Sequence, residues 1–314
     1  MFAVWNVFRN FAHDMTYAVI GTGAIGGFYG ARLARSGQEV HFLLHSDYEF
    51  VRKNGLAVDS VDGSFRIPSP HAYRSTEDMP KVDCVIVALK TTNNRLLPSL
   101  LPPLLRDDTL LLMIQNGIGV EADVQEAFPG QPIAAGLAFI CSSKTEPGRV
   151  SHQCYGSITL ANYSARTIEP LVADFRAAGI QTFEAEYHLA RWRKAVWNMP
   201  FNGMTVALRT QTDRLLSHPS TEQLIREQML EVVGAARALG VSALDAAFAE
   251  KMIETTRAMT PYSPSMRLDY DFGRPMEIGY LYTRPIAEAR RVGYEMPRLE
   301  MLEQELSFLD VKAD

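Results

Sequence analysis

The run Ala18-Val19-Ile20-Gly21-Thr22-Gly23-Ala24-Ile25-Gly26-Gly27 decides how the rest of the chain is read. A short apolar segment, Tyr17 to Ile20, feeds a glycine loop that opens into an amphipathic pattern from Ala24 to Arg35, stopped at Ser36-Gly37. A second apolar segment, Val40 to Leu44, completes a strand-loop-helix-strand unit. In such a unit the three spaced glycines have separate jobs. Gly21 makes the tight turn off the strand, Gly23 lets backbone approach a pyrophosphate, and Gly26 lets helix and strand pack closely. The phosphates sit on the open amides of the helix start, where aligned peptide dipoles favour negative charge. The predicted cofactor contacts here are Gly21, Thr22, Gly23, Ala24, Ile25 and Gly26.

Outward from the loop, two further apolar runs read as buried parallel strands: Asp83 to Lys90 and Thr109 to Ile114, the latter closed by Gln115-Asn116-Gly117. Ligands of open α/β sheets bind beyond the carboxyl ends of the strands. That position singles out Lys90 and Asn116, whose plainer readings are a solvated strand-end lysine and an Asn-Gly turn. Leu56 to Pro68 alternates around Asp62-Gly63 and predicts a hairpin. Short β segments are expected at Ile133 to Ile140 and Gly156 to Ala161, with a turn at Glu146-Pro147-Gly148. A helix near Arg166 to Ala178 and a strand at Gln181 to Ala185 follow.

Beyond Glu184 the β signals stop and helices take over. Tyr187 to Leu208 is one candidate, with Pro200 expected to kink or break it. Leu224 to Leu239 ends at Gly240, and Ser242-Ala-Leu-Asp245 reads as a capping box for a helix running to about Met259. Thr260 to Ser265 breaks the pattern; Gly273-Arg274-Pro275 is expected to open a helix carrying Glu277, and a last helix follows Pro297. The fold class is therefore α/β: a Rossmann-like doubly wound sheet over residues 17–184, then a smaller all-α domain over residues 185–314.

Residues 1–16 read as an N-terminal extension. Phe2, Trp5, Phe8 and Phe11 have helical spacing, but the segment lacks the basic start and cleavage site of a signal peptide. Met15, two residues before the first strand, suggests an upstream start codon. Membrane anchoring through this amphipathic piece is the second reading.

Composition narrows the function. The 314 residues exceed what one core organises. A net charge of -5 without a basic run argues against nucleic acid. No uncharged apolar run is long enough to span a bilayer. Cys84, Cys141 and Cys154 lack metal-ligand spacing and read as free thiols of a reducing cytoplasm. The expected partner is a small molecule, with a homodimer as the open possibility.

A nicotinamide supplies hydride, so the protein must supply a substrate clamp and a proton. Lys194, Asn198 and Asn202 recur at i, i+4 and i+8 in Arg191-Trp192-Arg193-Lys194-Ala-Val-Trp197-Asn198-Met-Pro200-Phe-Asn202, which places them on one helical face. Flanking tryptophans could dry that face and draw the lysine towards a general acid's range; the plainer reading is a polar surface stripe. Glu277 by itself reads as a helix-start carboxylate.

Taken together, the glycine loop, Leu89-Lys90, Asn116-Gly117-Ile-Gly119, Trp192-Arg193-Lys194 with Asn198 and Asn202, Ser265-Met266 with Asp269, and Gly273-Arg274-Pro-Met-Glu277-Ile278 resemble the ketopantoate reductase family, the 2-dehydropantoate 2-reductases. The likeness runs from about Tyr17 to the last helix. It implies NADPH-dependent reduction of a 2-oxo acid to a 2-hydroxy acid. By that resemblance Lys194 donates the proton to the carbonyl oxygen, and Glu277 orders the lysine region and the substrate hydroxyl. Asn198, Asn202 and Ser265 bind substrate oxygens, while Lys90 and Asn116 line the cofactor and nicotinamide pocket.

Three places depart from the family pattern. After the second strand, where an arginine is usual for the ribose 2'-phosphate, stands His45. The acid that favours NAD is absent as well, leaving NADPH preferred with His45 and Ser46 as weaker contacts. Gly203 follows Asn202 in place of proline, and Gly279, Tyr282 and Thr283 replace the usual residues after Glu277-Ile278. These changes fall near the expected substrate pocket. The alternatives are therefore a reductase of a different 2-oxo acid or a non-catalytic NADP(H)-binding protein.

Overall fold

A computed structural model describes residues 15–310. The amphipathic reading of the first 14 residues lies outside them. The described chain forms two compact units: residues up to Gln115 with Glu121–Ala185, and Asn116–Val120 with Glu186 onward.

The first unit is built on a ten-stranded sheet. In chain order its elements are β1 (Thr16–Ile20), α1 (Ala24–Arg35), β2 (Glu39–Leu43), α2 (Tyr48–Asn54), β3 (Leu56–Ser60), β4 (Phe65–Ile67), β5 (His71–Tyr73), β6 (Cys84–Val87), α3 (Leu97–Leu100), β7 (Leu110–Met113), α4 (Val120–Ala127), β8 (Ile133–Glu146), β9 (Arg149–Asn162), α5 (Glu169–Ala177) and β10 (Thr182–Glu184). The path β5-β2-β1-β6-β7-β8 is parallel throughout. Strand order reverses between β1 and β6, the switch point of a doubly wound sheet, and the glycine loop leaves β1 there. The central strands β1, β6 and β7 are buried on both faces, as their continuous apolar runs require.

The β3–β4 hairpin forms around Gly63, whose φ is +105°. In place of the short segments expected after Pro132, β8 and β9 are 14-residue strands paired along nearly their whole length. Register shifts in β8 and positive φ at Tyr155 and Gly156 break the alternation that marks one long strand. Both β3 and β10 pair with β9, near its start and its end respectively. The hairpin passes close to α1, since a Cβ added at Gly27 would lie 2.8 Å from Val150. Its tip thereby reaches the residues that follow β2.

The second unit is helical: α6 (Tyr187–Ala207), α7 (Thr212–Leu216), α8 (Pro219–Ala238), α9 (Ala246–Arg257), α10 (Ser265–Asp271), a π-helical turn (Gly279–Thr283), α11 (Arg284–Arg291) and α12 (Pro297–Asp310). Four expectations need correction. Pro200 does not break α6, because Asn198 to Val206 are all buried and packing holds the helix through the missing amide. The capping box at Ser242 is absent; Asp245 itself caps α9 by accepting the Phe248 N–H. The stretch expected to end at Ser265 instead starts α10 there, with Pro264 at the N-cap. Glu277 is not in a helix: Arg274 to Glu277 has no regular secondary structure, and helix resumes at Ile278.

Among the described residues no helix is long and apolar enough to cross a membrane. Cys84, Cys141 and Cys154 are free thiols, but Cys154 is only partly buried.

Candidate active site

The glycine loop meets a physical test for a bound dinucleotide. Gly21 has φ +94°, and a Cβ there would lie 2.6 Å from the Leu89 nitrogen, so only glycine lets the end of β6 close on the loop. At Gly26 an added Cβ would meet the Gly21 carbonyl at 2.3 Å and Val19 at 2.9 Å. Gly23 is different: its added Cβ would touch only the Gly21 carbonyl, at 4.0 Å. The space over Gly23 is open, and it lies at the start of a 12-residue helix with no side-chain cap and no acid in its first turn. The first amides of α1, from Ala24 and Ile25 on, are left to an outside acceptor, as a phosphate requires.

Thr22 is buried and donates its hydroxyl to the Leu43 carbonyl at 2.8 Å, tying the loop to the end of β2. Lys90 follows Leu89 directly, so the contact at Gly21 puts it beside the loop. Gln115, buried at the end of β7, donates to the Leu89 carbonyl at 2.6 Å and to Asn94 Oδ1 at 2.7 Å. It thereby fixes the peptide that precedes Lys90. His45 is exposed and lies two residues past β2.

In the helical unit, Gly117, Ile118, Arg191, Lys194, Ala195, Asn198, Tyr280 and Leu281 line one pocket. The Asn116-Gly117-Ile118-Gly119 segment forms one wall by pressing on the π-helical turn. Ile118 N–H donates to the Tyr280 carbonyl at 3.0 Å. Gly117 and Gly119 have φ of +104° and +85°, and a Cβ on either would lie within 2.5 Å of Tyr280 or Arg284. This close approach accounts for both glycines.

Lys194 is partly buried on α6. Loss of water draws its ammonium down to about 7, the Arg191 charge acts in the same direction, and the Glu277 charge opposes both. A lysine so placed exchanges its proton near neutral pH. Asn198, one turn on, is buried and donates Nδ2–H to Asn116 Oδ1 at 3.5 Å. Asn202, also buried, has its amide committed elsewhere: Nδ2–H donates to the Asn198 carbonyl at 2.9 Å, and Oδ1 accepts the Met266 N–H at 3.3 Å. It joins α6 to the start of α10, where Ser265 is partly buried.

Glu277 is buried on the irregular segment between α10 and the π-helical turn. That segment is anchored at both ends. Arg274 bonds Asp269 through Nε at 2.9 Å and through its backbone N–H at 2.8 Å, and Met276 N–H donates to Asp310 at 2.9 Å. Tyr282 inserts its hydroxyl beside α6, donating to the Met199 carbonyl at 2.5 Å. A Cβ at Gly203 would lie 2.7 Å from that oxygen, so Gly203 and Tyr282 fit each other.

The structure thus brings Lys194 and Asn198 to one pocket in the helical unit, with Asn116 bonded to Asn198 rather than lining the pocket itself. The tryptophans expected to dry it do not line it: Trp192 packs in the helical core and Trp197 lies against Phe201. Tyr280, Leu281 and Ile118 do so instead. Arg191 went unnoticed in the sequence although it stands three residues before Lys194, on the same helical face.

A dinucleotide-type sheet in one unit and an ammonium-bearing pocket in the other suit a nicotinamide-dependent oxidoreductase, the class that the family match shows. Comparison with known proteins makes the assignment specific. The model of ketopantoate reductase PanE/ApbA matches residues 17–165, and that of its C-terminal part matches residues 186–310. A 2-dehydropantoate 2-reductase of Nostoc sp. is 42% identical over 307 residues, covering 95% of this chain and 96% of its own. Among solved structures, the 2-dehydropantoate 2-reductase of Geobacter metallireducens superposes with a TM-score of 0.91 at 41% identity, over 93% of this chain and 99% of its own. That of Methylococcus capsulatus gives 0.86 at 36% identity, over 94% and 96%. The chain belongs to the ketopantoate reductase family.

Proposed function

We propose that this protein reduces a 2-oxo acid to the corresponding 2-hydroxy acid with NADPH, and that 2-dehydropantoate, giving pantoate for pantothenate biosynthesis, is its substrate. The observation that carries the reading is Lys194: a lysine drawn to about 7 in a pocket that also presents the Asn198 amide. The reduced nicotinamide supplies a hydride when bound. The remaining work falls to the chain's own side chains. Lys194 gives its proton to the carbonyl oxygen as that oxygen gains negative charge, and before that its positive charge stabilises the developing alkoxide. Glu277 keeps the ammonium protonated against burial and orders the substrate hydroxyl. Asn198 and Ser265 donate to substrate oxygens, and Asn202 acts chiefly by holding the start of α10 against α6. On the cofactor side Lys90 and Asn116 line the nicotinamide pocket, and the glycine loop takes the pyrophosphate.

In this reading residues 17–184 hold the dinucleotide and residues 185–314 hold the substrate; the enzyme works in the cytoplasm, where free thiols persist, and assembles as a homodimer. The substrate choice rests on the names borne by the relatives at 42% and 41% identity. A different 2-oxo acid is the second reading, favoured by Tyr282 and Gly203, which meet on the helix that carries Lys194 and Asn198. Retention of both Lys194 and Glu277 argues against a non-catalytic binder, which has no use for that pair.

Oxidation of NADPH with a panel of 2-oxo acids tests the proposal. Turnover is expected to be fastest with 2-dehydropantoate. Turnover with other acids alone would select the second reading, and none at all despite tight NADPH binding would refute both.

A further inference from the structure

The position after β2 where the family resemblance leads to an expected arginine holds an exposed His45, yet a fixed cation stands close to the residues that follow β2. Lys144 comes from the far end of β8, 99 positions further along the chain than His45. Its Nζ lies 2.6 Å from Asp47 Oδ2 and 3.5 Å from the Thr22 carbonyl. Thr22 belongs to the glycine loop and is itself bonded to Leu43, the last residue of β2. The lysine therefore stands where the loop meets the residues following β2. In dinucleotide-binding sheets that is where the adenosine ribose is read, by an acid for a free 2'-hydroxyl or by a cation for a 2'-phosphate.

We infer that Lys144 is the residue that selects a 2'-phosphorylated dinucleotide in this protein, in the role that the sequence assigned to His45. The inference rests on the NADPH reading given above. Three observations support it. The ammonium is held rather than free to wander, because Asp47 is buried, with its side chain 5% exposed, and is fixed in turn by the Gly148 N–H at 3.1 Å. Lys144 keeps 30% of its side chain exposed, so an incoming anion can reach it. An ammonium has three N–H donors, and with two directed at Asp47 and Thr22 a third remains for a phosphate oxygen. Asp47 does not act as the ribose acid of an NAD site, since its exposed surface is almost nil and its carboxylate is turned to Lys144 and Gly148. It is a positioning residue for the lysine.

The test is calorimetric binding of two probes without a nicotinamide, adenosine 2',5'-bisphosphate and 5'-AMP, and it is independent of turnover. The wild type is expected to prefer the bisphosphate. Lys144→Met should weaken the bisphosphate by about tenfold or more, the scale of one charge-assisted hydrogen bond, and leave 5'-AMP unchanged. Lys144→Arg should retain the preference. Because Lys144→Met leaves Asp47 buried without its cation, Asp47→Asn/Lys144→Met serves as the fold-neutral version and should show the same selective loss. His45→Ala should change the preference by less than threefold.

Equal weakening of both probes would make Lys144 a mere prop of the loop and overturn the inference. So would an intact preference in Lys144→Met, or its disappearance in His45→Ala. A wild type that binds both probes equally would overturn the NADPH reading and this inference together, which separates that failure from the other three.

Discussion

Glu277 and Lys194 stand on different elements of the helical unit, and the carboxylate charge favours the ammonium that burial and Arg191 disfavour. The lysine's proton affinity is a balance of burial and two charges, and each charge can be removed separately.

Removing the Glu277 charge tips that balance. Glu277→Gln should move the alkaline limb of kcat/KM to lower pH, by roughly 1 pH unit, because the opposing influence is gone. Reduction at pH 6 should then be less affected than reduction at pH 8. An unchanged profile with a uniform loss of rate would mean that Glu277 acts only on substrate.

Gly21 and Gly23 of the loop should part company on substitution. Gly21→Ala combines a positive φ with a contact of 2.6 Å to Leu89 nitrogen. It should cost about 1–3 kcal/mol from strain alone, visible as a lowered melting temperature. Gly23→Ala has open space around its new Cβ. Melting should be unchanged while affinity for the dinucleotide falls by about tenfold or more, since the methyl takes the room of the pyrophosphate. A normal affinity in Gly23→Ala would remove the loop from the site.

Tyr282 and Gly203 make a coupled pair. Tyr282→Phe leaves the buried Met199 carbonyl without its 2.5 Å donor and should destabilise by about 1–2 kcal/mol. Gly203→Ala forces a Cβ to within 2.7 Å of the hydroxyl and 2.6 Å of Leu302, an overpacking cost of about 1–3 kcal/mol. The double variant should lose less than the sum, because deleting the hydroxyl relieves part of the clash. Denaturant melts of the four proteins measure this directly, and strict additivity would show that the two residues are not linked.

The sheet was legible because its signals are local. Apolar runs of strand length, the glycine loop and the Asp62-Gly63 turn each carry their own physical reason, and α1 forms over the predicted Ala24–Arg35. The helical unit was harder to read where tertiary packing overrides local rules. Pro200 sits in a helix because the neighbouring turns are buried on every side, and α10 hid behind Pro261 and Pro264. The site residues on α6 were visible through helical spacing. Lys144 was not, because its partners Thr22 and Asp47 lie about a hundred residues earlier in sequence and only the long β8–β9 hairpin brings them together. Arg191 had a signal, its i−3 relation to Lys194, that competed with three other charged or aromatic neighbours.

The most direct test is the pH dependence of kcat/KM for 2-oxo acid reduction, measured for the wild type and Lys194→Ala. Reduction uses the protonated lysine, whose affinity burial has drawn to about 7. The wild-type rate should therefore be high on the acid side and fall as pH rises through about 7; oxidation of the 2-hydroxy acid, which uses the neutral amine, should rise through the same point. Lys194→Ala should lose about 10²- to 10⁴-fold in rate together with this titration. A wild-type profile that stays level from pH 6 to pH 9, or the same titration surviving in Lys194→Ala, would contradict the assignment of the proton to Lys194.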